Sequence, residues 1–222
     1  MTSVIGAILP LAIGIAISPI PIIAAILMLL SPKAKGTSVG FLLGWIVGIL
    51  VAVTVFTLLS SVLPDGDSDS TPIHGVVQIV LGAALLVLAL RRWRSRPKPS
   101  DEPALPKWMS AIDTMSAGKA IGLGFLLAAV NPKNLLLGAG AGVAIGGAGL
   151  SAGSTAVVIG VFTVIAAASV AIPVIAYLVA AKRMAGPLES LRGWLVDNNA
   201  TVMAVLLLVI GFVLIGKGIA SF

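Results

Sequence analysis

Six apolar stretches, at about residues 2–30, 39–63, 72–90, 119–147, 154–181 and 198–220, take up most of the 222-residue chain. A helix crosses the hydrocarbon core of a bilayer with about 20 residues, so each stretch is long enough to span. None alternates as a half-buried strand does, and all are longer than a barrel strand needs. The rest of the chain cannot make the protein soluble. Hydrophobic residues are 59% of the sequence and charged residues only 10%, against about a quarter charged in an ordinary soluble domain. The expected fold class is therefore all-α: a polytopic membrane protein with six transmembrane helices.

Cysteine is absent, which excludes disulfides and thiolate metal sites. The formal net charge of +6 sits in loops beside apolar segments. It points to anionic lipid headgroups as partners, and not to nucleic acid. No Lys or Arg precedes Lys33, so the first stretch lacks the basic start of a signal peptide and reads as a retained span.

The loops set the orientation. Lys33 and Lys35 lie in the first. Arg91, Arg92, Arg94, Arg96, Lys98, Lys107 and Lys119 lie in the third, and Lys182, Arg183 and Arg192 in the fifth. The second carries Asp65, Asp67 and Asp69 without a basic residue, and the fourth is uncharged. Positive loops stay in the cytoplasm. The expectation is a plasma-membrane protein with both termini outside and the linker 91–118 inside. That linker, with Pro97, Pro99, Pro103 and Pro106, divides a three-helix unit at 1–90 from another at 119–222. An odd number of spans per unit forces opposite orientations, the inverted repeat of many transporters.

Two features mark the candidate site. Residues 2–30 would make a helix of about 43 Å, longer than the core it crosses, and Ser18-Pro19-Ile20-Pro21 interrupts it. The fourth stretch is interrupted by Asn131-Pro132-Lys133-Asn134. Broken backbone at membrane depth survives where protein or a water-filled cavity covers it. Matched breaks in the two halves point to a transport site, against the alternative of ordinary proline kinks. Ser18, Pro19, Pro21, Asn131, Pro132, Lys133 and Asn134 are the candidate substrate-binding residues. Lys133 lies fourteen positions past Lys119, about 21 Å along a helix and too deep to snorkel. It needs a partner: carbonyls, Asn131, Asn134 or an anionic substrate group. If the helix begins later or re-enters, Lys133 instead lies near water.

Glycines recur every four residues at Gly36, Gly40, Gly44 and Gly48, and at Gly138, Gly142 and Gly146. This spacing lets helix backbones approach closely. Carrying the register of the two breaks forward pairs Gly36 with Gly149 and Gly40 with Gly153. Pro173, four residues after Ser169, is a further candidate kink. Trp45, Trp93, Trp108 and Trp194 suit an interfacial belt. Gly211 to Gly218 imitates a phosphate loop, but it sits in an apolar span and lacks the closing Ser or Thr. Lys217 there is expected to reach the outer interface. His74 is the sole histidine, so a multi-histidine metal centre is impossible. No metal, cofactor or catalytic constellation is expected, and the chain does not read as an enzyme.

Ile17-Ser18-Pro19-Ile20-Pro21, Ser31-Pro32-Lys33-Ala34 and Ala129-Val130-Asn131-Pro132-Lys133-Asn134-Leu135, with the basic Pro-rich linker, resemble the peptidoglycolipid-addressing protein family. The likeness is to its sulfolipid-addressing type, within the lysine-exporter superfamily of actinobacteria and others, and it covers essentially the whole chain. The resemblance implies help in moving cell-envelope glycolipids to the surface, and a possible pairing with a large lipid exporter. Two alternatives stay open: a secondary exporter of a small solute such as an amino acid, and a non-transporting subunit of a larger exporter. The glycine stripes permit a homodimer.

Overall fold

The computed structural model describes residues 1–61, 71–96, 112, 114–220 and 222. All regular structure among them is helical: α1 (Thr2–Ala16), α2 (Pro19–Leu30), α3 (Ala34–Ser61), α4 (Thr71–Arg94), α5 (Ala117–Ala129), α6 (Pro132–Gly146) and α7 (Ala152–Ile219). Most of the linker, the loop with Asp65, Asp67 and Asp69, and Trp108 lie outside the described residues, as does the side chain of His74.

Both expected breaks are present. α1 and α2 meet at 52°, and α5 and α6 at 62°. In each case the residue before the proline leaves the helical region. Ser18 takes φ −117° and ψ 98°, and Asn131 takes φ −63° and ψ 122°. The proline ring disfavours the α conformation at the residue before it. Proline also starts the next helix without waste. The first N–H groups of a helix have no internal acceptor, and Pro19, Pro21 and Pro132 have no N–H to leave stranded.

By length and composition α3, α4 and α7 can each cross a membrane, and five spans result if each bent pair counts as one. α7 needs closer reading, because its 68 residues would extend about 100 Å if straight. Its backbone is non-helical at Ala180, with φ −141° and ψ 50°. Ser169, before that point, bonds the carbonyl of Ala16. Ile210, after it, packs against Gly14. Two α7 residues 41 positions apart thus reach neighbouring residues of α1, so α7 doubles back. Pro173 is absorbed in the helix. The bend comes instead where the apolar run gives way to Lys182 and Arg183.

Glycines set the helix seams. Gly40, Gly44 and Gly48 of α3 face Ala117, Ile121 and Phe125 of α5, in ascending order. Gly138, Gly142 and Gly146 of α6 face Ala52, Phe56 and Ser60 of α3, also ascending. One long helix therefore runs parallel to both arms of the broken pair. α4 and α7 pack antiparallel, with Gly82 against Gly211 and Gly218 against Gly75. Lipid offers no hydrophobic drive for helices to associate, so close backbone approach over small residues supplies dispersion contact in its place.

Two sequence expectations change. Gly149 does not match Gly36: it lies in the turn between α6 and α7 at φ +59°, while Gly36 is inside α3. α6 has 15 residues against 12 in α2, so the register slips past the breaks. Trp45 is fully buried and stacked 6.4 Å from Phe41, because Gly124 brings α5 onto this turn of α3. Trp93 and Trp194 are exposed as an interfacial belt requires, with Arg96 over the Trp93 ring.

A Cβ at Gly142 would lie 2.5 Å from the Phe56 Cβ and 2.6 Å from its backbone carbon, whereas one at Gly122 would meet nothing within 4 Å. Gly142→Val should destabilise the folded protein in detergent by about 1–3 kcal/mol, and Gly122→Val should leave it unchanged. Thermal unfolding of the two variants checks this.

Candidate functional site

A helix that ends inside a membrane leaves carbonyls without donors, and each must find one. At the end of α1 every one does. The Ile13 carbonyl accepts from Ile17 N–H at 2.8 Å, and Ala16 from Ser18 N–H at 2.8 Å. The Ser18 hydroxyl donates to Ile15 at 2.5 Å. The Ser169 hydroxyl, from α7, donates to Ala16 at 2.5 Å. Lys133 covers the rest. Its Nζ donates to the Gly14 carbonyl at 2.7 Å, to Ile17 at 3.4 Å, and to the Ser18 hydroxyl oxygen at 2.5 Å.

Lys133 is 3% exposed, so its partners are decisive. An ammonium has three N–H donors, and all three are engaged. The negative end of the α1 dipole offsets its charge. Of the partners expected for it, backbone carbonyls are the ones used. The Asn131 side chain instead caps Lys133 N–H at 3.0 Å, fixing the start of α6. The Asn134 side chain donates to the Leu127 carbonyl at 3.0 Å, tying α6 back to α5. Asn134 Oδ1 is buried and unpartnered.

The structure thus joins the two breaks through Ser18 and Lys133. Pro19 and Pro21 are buried in the first turn of α2, Asn131 and Asn134 brace the other break, and Pro132 is exposed beside it. Sequence reading missed Ser169. Its only signal was a serine in an apolar run, a pattern that usually means self-capping. Lys217 is half-buried and donates to the Ala7 carbonyl of α1 at 2.6 Å, a bond that sequence reading did not anticipate.

Two apolar grooves flank the C-terminal part of α7. One, of about 810 Å³, runs along α1 from Gly6 to Ile17 against Trp194, Asn198, Val205 and Val209. Ile13, Ile17, Trp194 and Val209 are exposed, so it opens on the outside of the bundle. It ends at the break. The other, of about 500 Å³, lies between Leu86, Leu90 and Trp93 of α4 and Leu208 and Phe212 of α7, and shares Val205. Past the bend of α7, on an exposed stretch, Arg192 pairs with Glu189 and its hydrogen bond holds that carboxyl below the usual range.

These features define a helical membrane protein whose two broken helices are cross-braced at their breaks. Residues 8–220 match the family model of Sap, the sulfolipid-1-addressing protein, and the chain belongs to that family. Comparison with curated proteins and with solved structures gives no match.

Lys133→Met removes the donor to one buried carbonyl, one part-buried carbonyl and a buried hydroxyl, and should cost about 3 kcal/mol. Ser169→Ala should cost about 1 kcal/mol. A cycle combining Lys133→Met with Ser18→Ala should be non-additive by about 1 kcal/mol or more. Unfolding in detergent measures all three.

Proposed function

We propose that this protein helps export a sulfolipid-type cell-envelope glycolipid, as a transporter or transport factor of the plasma membrane. The observation that carries this reading is the apolar groove along α1, which opens toward the membrane and ends at the braced break. Family membership supports the lipid class. An acyl chain fits such a groove without polar partners. A small hydrophilic solute would need to displace Lys133 from all three of its acceptors, so the amino-acid exporter is the weaker reading.

In this reading the chain has six spans: α1–α2, α3, α4, α5–α6 and the two parts of α7. The packing directions suit it. α3 and α5–α6, the second and fourth spans, run parallel, while α4 and the end of α7, the third and sixth, run antiparallel. The paired breaks support two inverted three-helix units with the termini outside, a design consistent with the lysine-exporter superfamily. Lys133 is then a latch between the units. Rocking one against the other exchanges its bonds to α1 for others, and the groove along α1 changes shape with it. No enzymatic step is needed. A large lipid exporter or a second copy of the chain are the partners this role would admit.

The test compares surface-extracted with total lipids in a strain lacking the protein, complemented by wild type or Lys133→Ala. One surface lipid should fall while its cellular total persists, and only wild type should restore it. Rescue by both versions would return Lys133 to a purely structural role. Unchanged surface lipids, with redundancy excluded, would overturn the lipid reading. The cysteine-free chain also suits single-cysteine labelling: Asp67→Cys should react with an impermeant maleimide on intact cells and Lys98→Cys only after lysis.

A further inference from the structure

Lys33, in the turn between α2 and α3, and Lys35, in the first turn of α3, are both exposed. They do not simply face solvent. They line an open cavity of about 720 Å³, together with Ser116 at the start of α5 and Tyr177 and Ala181 at the bend of α7. Three chain segments distant in sequence therefore border one basic pocket. No described carboxylate neutralises it, since the ion pair among the described residues joins Arg192 to Glu189. The Ser116 oxygen accepts from Lys119 N–H, which leaves its hydroxyl proton free to donate. Tyr177 adds a phenolic hydroxyl of the kind that sits at membrane interfaces. Two ammonium groups and two hydroxyls on the residues lining one cavity supply the kinds of donor that a tetrahedral oxyanion accepts from.

The surroundings bear on its source. Tyr177 and Ala181 stand at the end of the apolar run of α7, and Lys182 and Arg183 follow directly. The cavity thus lies at the level where that run gives way to a cationic stretch. A lipid headgroup held at this level keeps its chains beside the apolar run, which a free anion cannot use.

We propose that the pocket between Lys33, Lys35, Ser116 and Tyr177 binds the phosphate or sulfate ester headgroup of a membrane lipid. The site uses none of the residues at the helix breaks and does not depend on the export reading. Each basic residue at a membrane surface contributes about a factor of five to anionic-lipid binding, so losing both lysines should be easily measured.

The full-length protein in neutral detergent is titrated with phosphatidylglycerol and with phosphatidylcholine of the same chains, and retained lipid is read by native mass spectrometry. In Lys33→Gln/Lys35→Gln, phosphatidylglycerol retention should fall about tenfold or more. It should hold within about twofold in Lys33→Arg/Lys35→Arg and in the charge-matched Arg91→Gln/Arg94→Gln, where the general field alone changes. Both lysines are exposed, so the folded protein should elute unchanged. Inorganic phosphate then separates the sources. If it fails to displace phosphatidylglycerol, the headgroup is held together with its chains. If it displaces the lipid at millimolar concentration in a manner that needs both lysines, the anion site stands and a free anion suffices to fill it. Equal retention in wild type and the Gln variant, or an equal fall in the charge-matched control, overturns the proposal. Because the readout is binding to purified protein, its failure leaves the export reading intact, and failure of the surface-lipid test leaves this one intact.

Discussion

A carbonyl in hydrocarbon with no donor costs several kcal/mol, and α1 stops in the middle of an apolar run. The architecture follows from how that end is satisfied. Two of its carbonyls are served by local N–H groups and one by the Ser18 hydroxyl. The remaining two, Gly14 and Ile17, depend on Lys133 from far along the chain, and Ser169 gives Ala16 a second donor. A lysine is well suited to the task. One Nζ reaches two carbonyls and a hydroxyl at once, and its charge faces the negative end of a helix dipole. The same bonds that permit the break also hold the second half of the molecule against the first.

The glycine seams complement this polar junction. α3 presents Gly40, Gly44 and Gly48 to α5 and receives Gly138, Gly142 and Gly146 from α6. It is the straight member against which the broken pair is aligned, and it fixes where Asn131 and Lys133 lie. Polar bonding at the break and backbone contact along the seams divide the work. The first specifies which helices meet, and the second gives them a surface on which to meet. One groove lies along the outer side of α1, away from the α3 seams, and the other borders the glycine seam between α4 and α7.

Much of this was legible in the sequence, for reasons that can be named. Proline's missing N–H and its effect on the preceding residue located both breaks at Ser18 and Asn131. The four-residue spacing of small residues marked the close-packing faces of α3 and α6, though not which helices would meet them. Depth counted from Lys119 marked Lys133 as a residue in need of partners. What escaped was everything decided by three-dimensional neighbours. Ser169 looks like any self-capping serine until the course of α1 is known. Trp45 was misplaced because aromatic position along a span does not report which face a glycine on another helix will cover. The seven-residue pairing of Gly75 and Gly82 with Gly218 and Gly211 is too sparse to stand out beside the denser stripes. The fold-back of α7 has no proline at its bend, only the end of an apolar run.

The bonds that complete α1 span 115 residues from Lys133 to Ser18, 153 from Ser169 to Ala16 and 210 from Lys217 to Ala7. During synthesis the first helix emerges long before any of these donors exists. Until Lys133 leaves the ribosome, the broken end must rest on water, lipid headgroups or the insertion machinery. Contacts of such separation form late and slowly. The first helix is thus made unfinished, and its completion waits on the arrival of chain made much later.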